Sequence, residues 1–373
     1  LGFDVVAEPF QTESPEEYQR LIVAPVPLID VRAPLEFSAG AVPGAVNLPL
    51  LADQERHQVG LCYRQQGREA ALALGHRLLT GTRRDQVVAA WDAYLVSHPE
   101  ARLYCARGGL RSAIAGDWIA AATGRLVPRL SGGYKGFRAF LLSRLDPSTI
   151  TSAPLVLGGR TGSGKTRLLH RLPSSVDLEA LANHRGSAFG SFLTVQPSQA
   201  DFENRLAAAL IRHHHALQSH LLVEDEGRHV GQRFLPRALS QFFAGAPLVL
   251  LEVDLDTRIE TIIEEYVVAA QALYRERFGE DVGMERWLVD MEDGALRLGK
   301  RLGRSRVEEV RRRLANGYAD QLRFGDCGLH RSWVKLLLTD YYDPMYDYQI
   351  GKKAERVVFR GNWDEVLHYL RGV

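Results

Sequence analysis

The chain has 373 residues, 46% hydrophobic and 24% charged, with a net charge of +1; that is long enough for two domains with separate cores and ordinary for a globular chain. No run of about 18 or more apolar residues occurs, which excludes a spanning helix, and the start, LGFDVVAEPF, lacks the basic flank and cleavage site of a signal peptide. Three scattered cysteines without zinc-ligand spacing to histidine argue against a disulfide framework and a zinc site, and for a reducing cytoplasm.

Residues 1–145 alternate short apolar runs with helical stretches, the pattern of an α/β domain. Val26 to Val31 and Ala45 to Leu48 read as strands, and Glu69 to Leu79 and Arg84 to Val96 as amphipathic helices. Arg102 to Tyr104 leads as a strand into Cys105, Arg111 to Ala122 reads as the helix that follows, and Leu126 to Leu130 as a further strand. Asp146-Pro147-Ser148-Thr149 reads as a linker. Residues 146–373 then form a second domain, with strands at Leu155 to Leu157, His220 to Val223 and Pro247 to Val253, and a helical pattern from Thr257 to about Leu338.

Cys105 opens C-A-R-G-G-L-R-S. A thiol attacks as its thiolate, so a reactive cysteine needs surroundings that stabilise negative charge. A strand ending at Cys105, a turn through Gly108 and Gly109, and a helix starting near Arg111 supply backbone N–H groups and a positive helix end. Arg107 and Arg111 add full charges for an oxyanion. Cys62 and Cys327 lack such a loop and read as small buried hydrophobes.

Gly159-Arg160-Thr161-Gly162-Ser163-Gly164-Lys165-Thr166 matches the P-loop pattern between an apolar strand and a helix. Its N–H groups cradle phosphate, Lys165 reaches terminal phosphates, and the Thr166 hydroxyl can bind a metal ion such as Mg²⁺. The pattern specifies a phosphate chain, not which phosphate compound. Glu224 and Asp225, at the end of L-L-V-E-D-E, are either metal-water contacts or a solvated strand end. In the polar, Gly-rich run Asp177 to Gly190, His184, Arg185 and Ser187 are either substrate contacts or ordinary caps. His213 to His215 are consecutive on a helix and face different sides, which disfavours a joint metal site.

Between Arg102 and Arg171 there are twelve Lys or Arg against two acids, and between Arg297 and Arg313 eight against two. Such clustering suggests a polyanionic partner, although solvated helix faces are also often Arg-rich. The run Tyr341 to Gln349 offers four tyrosines beside Lys352 and Lys353, which either stack unpaired RNA bases or close the core of the second domain.

L-I-D-V-R-A-P-L-E-F at Leu28 to Phe37 and G-A-V-P-G-A-V-N-L-P at Gly40 to Pro49 resemble the opening signature of the rhodanese family, whose active-site cysteine carries a persulfide. Five residues separate Cys105 from Arg111, one more than in the commonest sulfurtransferase loop, a spacing shared with C-x5-R phosphatases. Taken in order, these signatures, the cysteine loop, the P-loop, D-L-E-A-L-A-N-H-R-G-S-A-F-G and Y-Y-D-P-M-Y-D-Y-Q resemble the bacterial tRNA 2-selenouridine synthase family over nearly the whole chain. C-Y-R-Q-Q-G at Cys62 to Gly67 and K-A-E-R-V-V-F-R-G at Lys353 to Gly361 add to the likeness.

The resemblance implies a rhodanese-like domain followed by a P-loop α/β domain with a helical extension. It implies an enzyme acting on the wobble 2-thiouridine of tRNAs for Lys, Glu and Gln, in two steps: S-geranylation from geranyl diphosphate, then selenation from selenophosphate. Both donors are co-substrates, and no tightly bound cofactor or membrane partner is expected. Cys105 would carry selenium as a selenylsulfide, with Arg107, Gly108, Gly109 and Arg111 around the selenophosphate and Gly159 to Thr166 around the diphosphate. A C-x5-R phosphatase, a nucleotide-dependent kinase with a regulatory rhodanese module, and a non-catalytic RNA-binding adaptor are the competing readings.

Overall fold

The computed structural model describes residues 13–184, 189, 193 and 195–373. It divides into two compact units, one of residues up to Thr149 together with Ser198–His215, the other of Ile150–Pro197 and Ala216–Val373. The break after Thr149 falls in the expected linker, which forms one short 3-10 turn, Pro147–Thr149. Among the described residues no helix is long and apolar enough to cross a membrane.

In the first unit, β1 (Leu28–Asp30) lies between β2 (Val46–Asn47) and β3 (Arg102–Tyr104), all parallel. Parallel strands need crossover connections and cover on both faces, and helices Asp53–Leu78, Thr82–Ser97 and Leu110–Thr123 provide them. Ile29, Leu103, Trp91 and Ile119 are fully buried between these layers. The helix expected from Glu69 begins earlier, at Asp53, and kinks at Gly67, the end of C-Y-R-Q-Q-G, where φ is +85°. Leu126 to Leu130 does not form the expected strand. Only Arg129 bridges to Leu103, because Pro128 lends its carbonyl to Leu103 N but has no N–H to extend the ladder.

Helix Gln199–His215 packs in this unit although the chain enters and leaves it from the second. Division of the sequence at residue 145 alone does not anticipate that. Arg138 fastens the helix through the Ala200 carbonyl (3.1 Å), Asn204 (2.6 Å) and Glu203 (2.6 Å). His213 is buried while His214 and His215 are exposed.

The second unit is a four-stranded parallel sheet ordered β5-β4-β8-β9, formed by β4 (Ala153–Gly159), β5 (His220–Glu224), β8 (Leu248–Leu251) and β9 (Val357–Gly361). A small antiparallel hairpin of β6 (His229–Val230) and β7 (Arg233–Phe234) lies between β5 and β8 in sequence. The closing helix Trp363–Gly372 buries Val366, Leu367 and Leu370 against Leu169, Leu222 and Val249. From Leu255 the chain is helical through the expected stretch to about Leu338 and on to Gly351, before β9, and builds its own core around Trp287 and Trp333. Trp287 donates to the Tyr266 carbonyl and Trp333 to His330 Nδ1, both at 2.9 Å, so neither buried indole N–H is left unsatisfied.

Candidate active site

Two chemically distinct centres emerge, one in each unit. Cys105 follows β3 directly and is buried, 3% exposed. Its Sγ lies 3.4 Å from Ser112 Oγ and 3.8 Å from the Gly109 carbonyl, to which Ser112 Oγ donates at 2.9 Å. Helix Leu110–Thr123 starts right after Gly109, a short loop beyond the cysteine, and its first-turn amides have no intrahelical acceptors. Residues 130–135 brace the loop from behind: Tyr134 N donates to the Cys105 carbonyl and Lys135 N to the Ala106 carbonyl, each at 2.9 Å. Gly108, at φ +70°, is required there, since a Cβ would lie 2.7 Å from the Leu130 carbonyl.

Of the two loop arginines, Arg107 is exposed. Arg111 is not free: its terminal nitrogens hold Glu36 at 2.5 and 3.1 Å, and Arg56 Nε approaches the same carboxylate at 3.6 Å. Burial pushes the Glu36 carboxyl up, but the hydrogen bonds and charge of Arg111 outweigh it and hold Glu36 below the usual carboxylate range. Glu36 belongs to L-I-D-V-R-A-P-L-E-F, so that signature and the cysteine loop meet here. In the same segment, buried Arg32 pairs with Asp30 at 2.6 Å, donates to the Gly40 carbonyl at 2.7 Å and stacks 4.0 Å over Tyr134.

In the second unit the P-loop runs from the end of β4 into helix Lys165–Leu169, as its spacing predicts. Gly162 and Gly164 both adopt φ +79°, and a Cβ on Gly162 would lie 2.8 Å from the Arg258 carbonyl. Lys165 Nζ folds back to the Gly159 carbonyl at 2.8 Å and lies 5.8 Å from the Tyr346 ring. Thr161 to Arg167 line a cleft of about 640 Å³ with Asp177, Glu179, His184, Glu224, Glu226, Ile262, Tyr266 and Tyr346.

The acids of L-L-V-E-D-E differ in their surroundings, Glu224 lining the cleft and Asp225 turning away to a salt bridge. Asp225 points to Lys353, which donates to both of its oxygens at 2.7 Å. Glu224 is buried and accepts from Leu178 N at 3.0 Å; burial and the neighbouring Asp177 charge push its carboxyl well up. The sequence reading missed Glu226, whose carboxyl burial and Glu179 raise to about 8 against the pull of Lys165. It also missed Asp177 and Glu179, although both stand in a motif it quoted. His184 lines the cleft with its Nδ1 buried and unpartnered, and burial lowers its basicity. Arg185 and Ser187 lie outside the described residues. Among the described residues no three His, Cys, Asp or Glu side chains converge as a metal site. Mg²⁺ typically takes few protein ligands and completes its shell with phosphate oxygens and water, so Thr166 beside a bound diphosphate is where it would fit.

The tyrosine-rich run serves mainly as a brace. Helix Asp343–Gly351 presents Asp343, Tyr346 and Asp347 on one face, at i, i+3 and i+4. Asp343 pairs with Arg258 at 2.5 and 3.1 Å, and Arg258 Nε in turn holds the Thr161 carbonyl at 2.9 Å. Asp347 holds Arg160 at 2.6 Å. Tyr342 joins the helical core, whereas Tyr348 is exposed beside Lys352. Much of the basic clustering is internally balanced: Arg102, Arg111, Arg125, Arg138, Arg160 and Arg167 each pair with a carboxylate, as do Arg304, Arg306, Arg311, Arg312 and Arg313.

The chain matches the family description "tRNA 2-selenouridine synthase AAA domain" over residues 152–373 and "Rhodanese-like domain" over residues 14–140. It is 45% identical to a tRNA 2-selenouridine synthase from Sulfurovum sp. (strain NBC37-1), across 95% of this chain and 97% of that protein. Proteins of the same description from Hahella chejuensis (strain KCTC 2396) and Cupriavidus pinatubonensis (strain JMP 134 / LMG 1197) are 46% and 44% identical, across 95% and 96% of this chain and 93% and 98% of theirs. With a rhodanese-like unit carrying Cys105 and a P-loop unit with a helical extension, the chain belongs to the tRNA 2-selenouridine synthase family.

Proposed function

We propose that the enzyme converts the wobble 2-thiouridine of tRNAs for Lys, Glu and Gln to 2-selenouridine in two steps, one at each centre. In the first, the thiouridine sulfur attacks C1 of geranyl diphosphate; the S–C bond forms, the C–O bond breaks and diphosphate leaves. The P-loop amides and Lys165 stabilise that leaving group. In the second, selenium at the selenide oxidation level, derived from selenophosphate with phosphate as by-product, bonds to C2 of the base. Geranylthiolate departs as the C–S bond breaks, so the exchange is redox-neutral. S-alkylation is what turns the sulfur into a competent leaving group. Cys105 is the nucleophile of the selenium centre: its thiolate attacks the phosphorus of selenophosphate, the P–S bond forms as the P–Se bond breaks and selenide leaves. Water then cleaves the P–S bond to return the thiol and release phosphate. Arg107 and Arg111 orient the selenophosphate oxyanion through charge-assisted hydrogen bonds.

The observation that supports this reading is the presence, on one chain, of a buried cysteine in the loop before a helix N-terminus and a P-loop whose lysine folds back onto the loop's own backbone. Family membership favours it over the phosphatase, kinase and adaptor readings. The deciding test is stepwise reconstitution with purified 2-thiolated tRNA. Geranyl diphosphate alone should give the S-geranyl nucleoside by mass spectrometry, and later addition of selenophosphate should convert it to 2-selenouridine. Selenation that never passes through the geranylated nucleoside would refute the two-step order.

A further inference from the structure

The cleft beside the P-loop has two unlike walls. One is polar: the loop itself, Asp177, Glu179 and Glu226. The other is the continuous helical run Leu255–Phe278, which includes the π-helical segment Ile263–Ala269. Along it Ile262, Tyr266, Ala269 and Leu273 border the cleft at intervals of four, three and four residues, with Thr261, Glu264 and Glu265 lining it beside them, so the apolar stripe runs along a polar edge. The stripe starts against the phosphate cradle, where a Cβ on Gly162 would lie 3.0 Å from Ile262 Cδ1. Ile262 and Tyr266 are buried, but Ala269 is exposed and Leu273 is 42% exposed, so exposure rises along the stripe away from the phosphate loop. Eleven residues of helix cover on the order of 16 Å. Local π-helical turns frequently accompany functional sites.

Apolar surface facing a phosphate cleft loses free energy to water until a ligand covers it. A nucleoside triphosphate would set its ribose hydroxyls and base polar edges against this stripe. An amphiphile with a diphosphate head and a hydrocarbon tail matches both walls at once. We propose that Ile262, Tyr266, Ala269 and Leu273 form the tail groove for the prenyl chain of an allylic diphosphate, with Ile262 and Tyr266 over the first isoprene unit and Ala269 and Leu273 over the second. This rests on the reading of the P-loop as the diphosphate site, and it makes the outer pair the residues that set chain-length preference. Glu264, which also borders the cleft, pairs with Arg167 at 3.5 Å at the edge of the stripe.

The test is equilibrium binding of inorganic pyrophosphate, dimethylallyl diphosphate, geranyl diphosphate and ATP to the full chain. The wild type should bind geranyl over dimethylallyl diphosphate by on the order of 10²-fold, for five further carbons on a half-open wall. Ala269→Trp, at an exposed helical position, should fill the outer groove and weaken geranyl diphosphate by at least about tenfold. Pyrophosphate and dimethylallyl diphosphate should change by less than about threefold, and Leu273→Glu should reproduce the selective loss. If both variants leave geranyl binding intact, or weaken all three diphosphates equally, the groove is wrong while the P-loop reading stands. The same holds if the wild type binds geranyl diphosphate no better than pyrophosphate. If the wild type binds ATP and neither geranyl diphosphate nor pyrophosphate, the P-loop reading falls and the groove with it.

Discussion

Asp343→Asn tests whether the helical extension holds the P-loop in shape. Arg258 is 1% exposed, and among the described residues its guanidinium is held by Asp343, through contacts of 2.5 and 3.1 Å, and by the Thr161 carbonyl at 2.9 Å. Removing the carboxylate charge leaves a buried cation uncompensated, which typically costs about 3–5 kcal/mol. The Asp343 side chain is 18% exposed, so water can partly replace it and the lower end, about 3 kcal/mol, is the expected loss. Replacing the pair by Arg258→Met with Asp343→Leu should cost less than Asp343→Asn alone, since no charge is then stranded. Because the chain has two units, a single melting curve would mix them. Denaturant-dependent hydrogen exchange on peptides spanning 153–169 and 255–262 isolates the relevant one. The same peptides should exchange faster in Asp343→Asn, and pyrophosphate affinity should fall with them. Wild-type exchange and wild-type affinity in Asp343→Asn would refute the brace.

Lys165→Ala should slow geranylation by about 10²–10³, the usual cost of losing one preorganised charge at a leaving group, while pre-geranylated tRNA supplied directly should still be selenated; mass spectrometry of nucleosides separates the two. Glu226 sets a pH dependence: its neutral carboxyl tolerates an incoming anion, and ionisation above about 8 opposes it. Pyrophosphate affinity should therefore fall as pH rises through about 8, by at most about tenfold per pH unit for one linked proton, and Glu226→Gln should flatten that extra slope in isothermal titration. Glu36→Gln should loosen Arg111 and raise the selenophosphate KM by about tenfold, the worth of one charge-assisted hydrogen bond. Geranylation rate should not change, and an effect on geranylation instead would detach Glu36 from the selenium centre.

Both centres are legible from sequence because each is local: a strand, a short loop and a helix start specify the backbone path at Cys105 and again at Gly159 to Thr166. Their partners are not local. Glu36 meets Arg111 only because β1 and β3 are adjacent strands, and Lys353 reaches Asp225 from beyond the whole helical extension. No periodicity reveals such pairings. Glu224 and Glu226 both line the cleft while Asp225 turns to Lys353, an alternation that position at a strand end does not reveal. The edge strand β9 was quoted only as part of a motif, since five residues with a distant partner carry little signal of their own. The sequence places His213 to His215 on a helix, yet the attachment of helix Gln199–His215 to the first unit depends on side-chain contacts made by Arg138.

Selenium transfer should depend on Cys105, and prenyl transfer should not. Cys105→Ser keeps the size of the side chain and removes the thiolate. The measurement is nucleoside mass spectrometry of 2-thiolated tRNA incubated with this variant, geranyl diphosphate and selenophosphate. The S-geranyl nucleoside should accumulate with no 2-selenouridine, whereas undiminished 2-selenouridine, or loss of the geranylated nucleoside as well, would contradict the division of labour between the two centres.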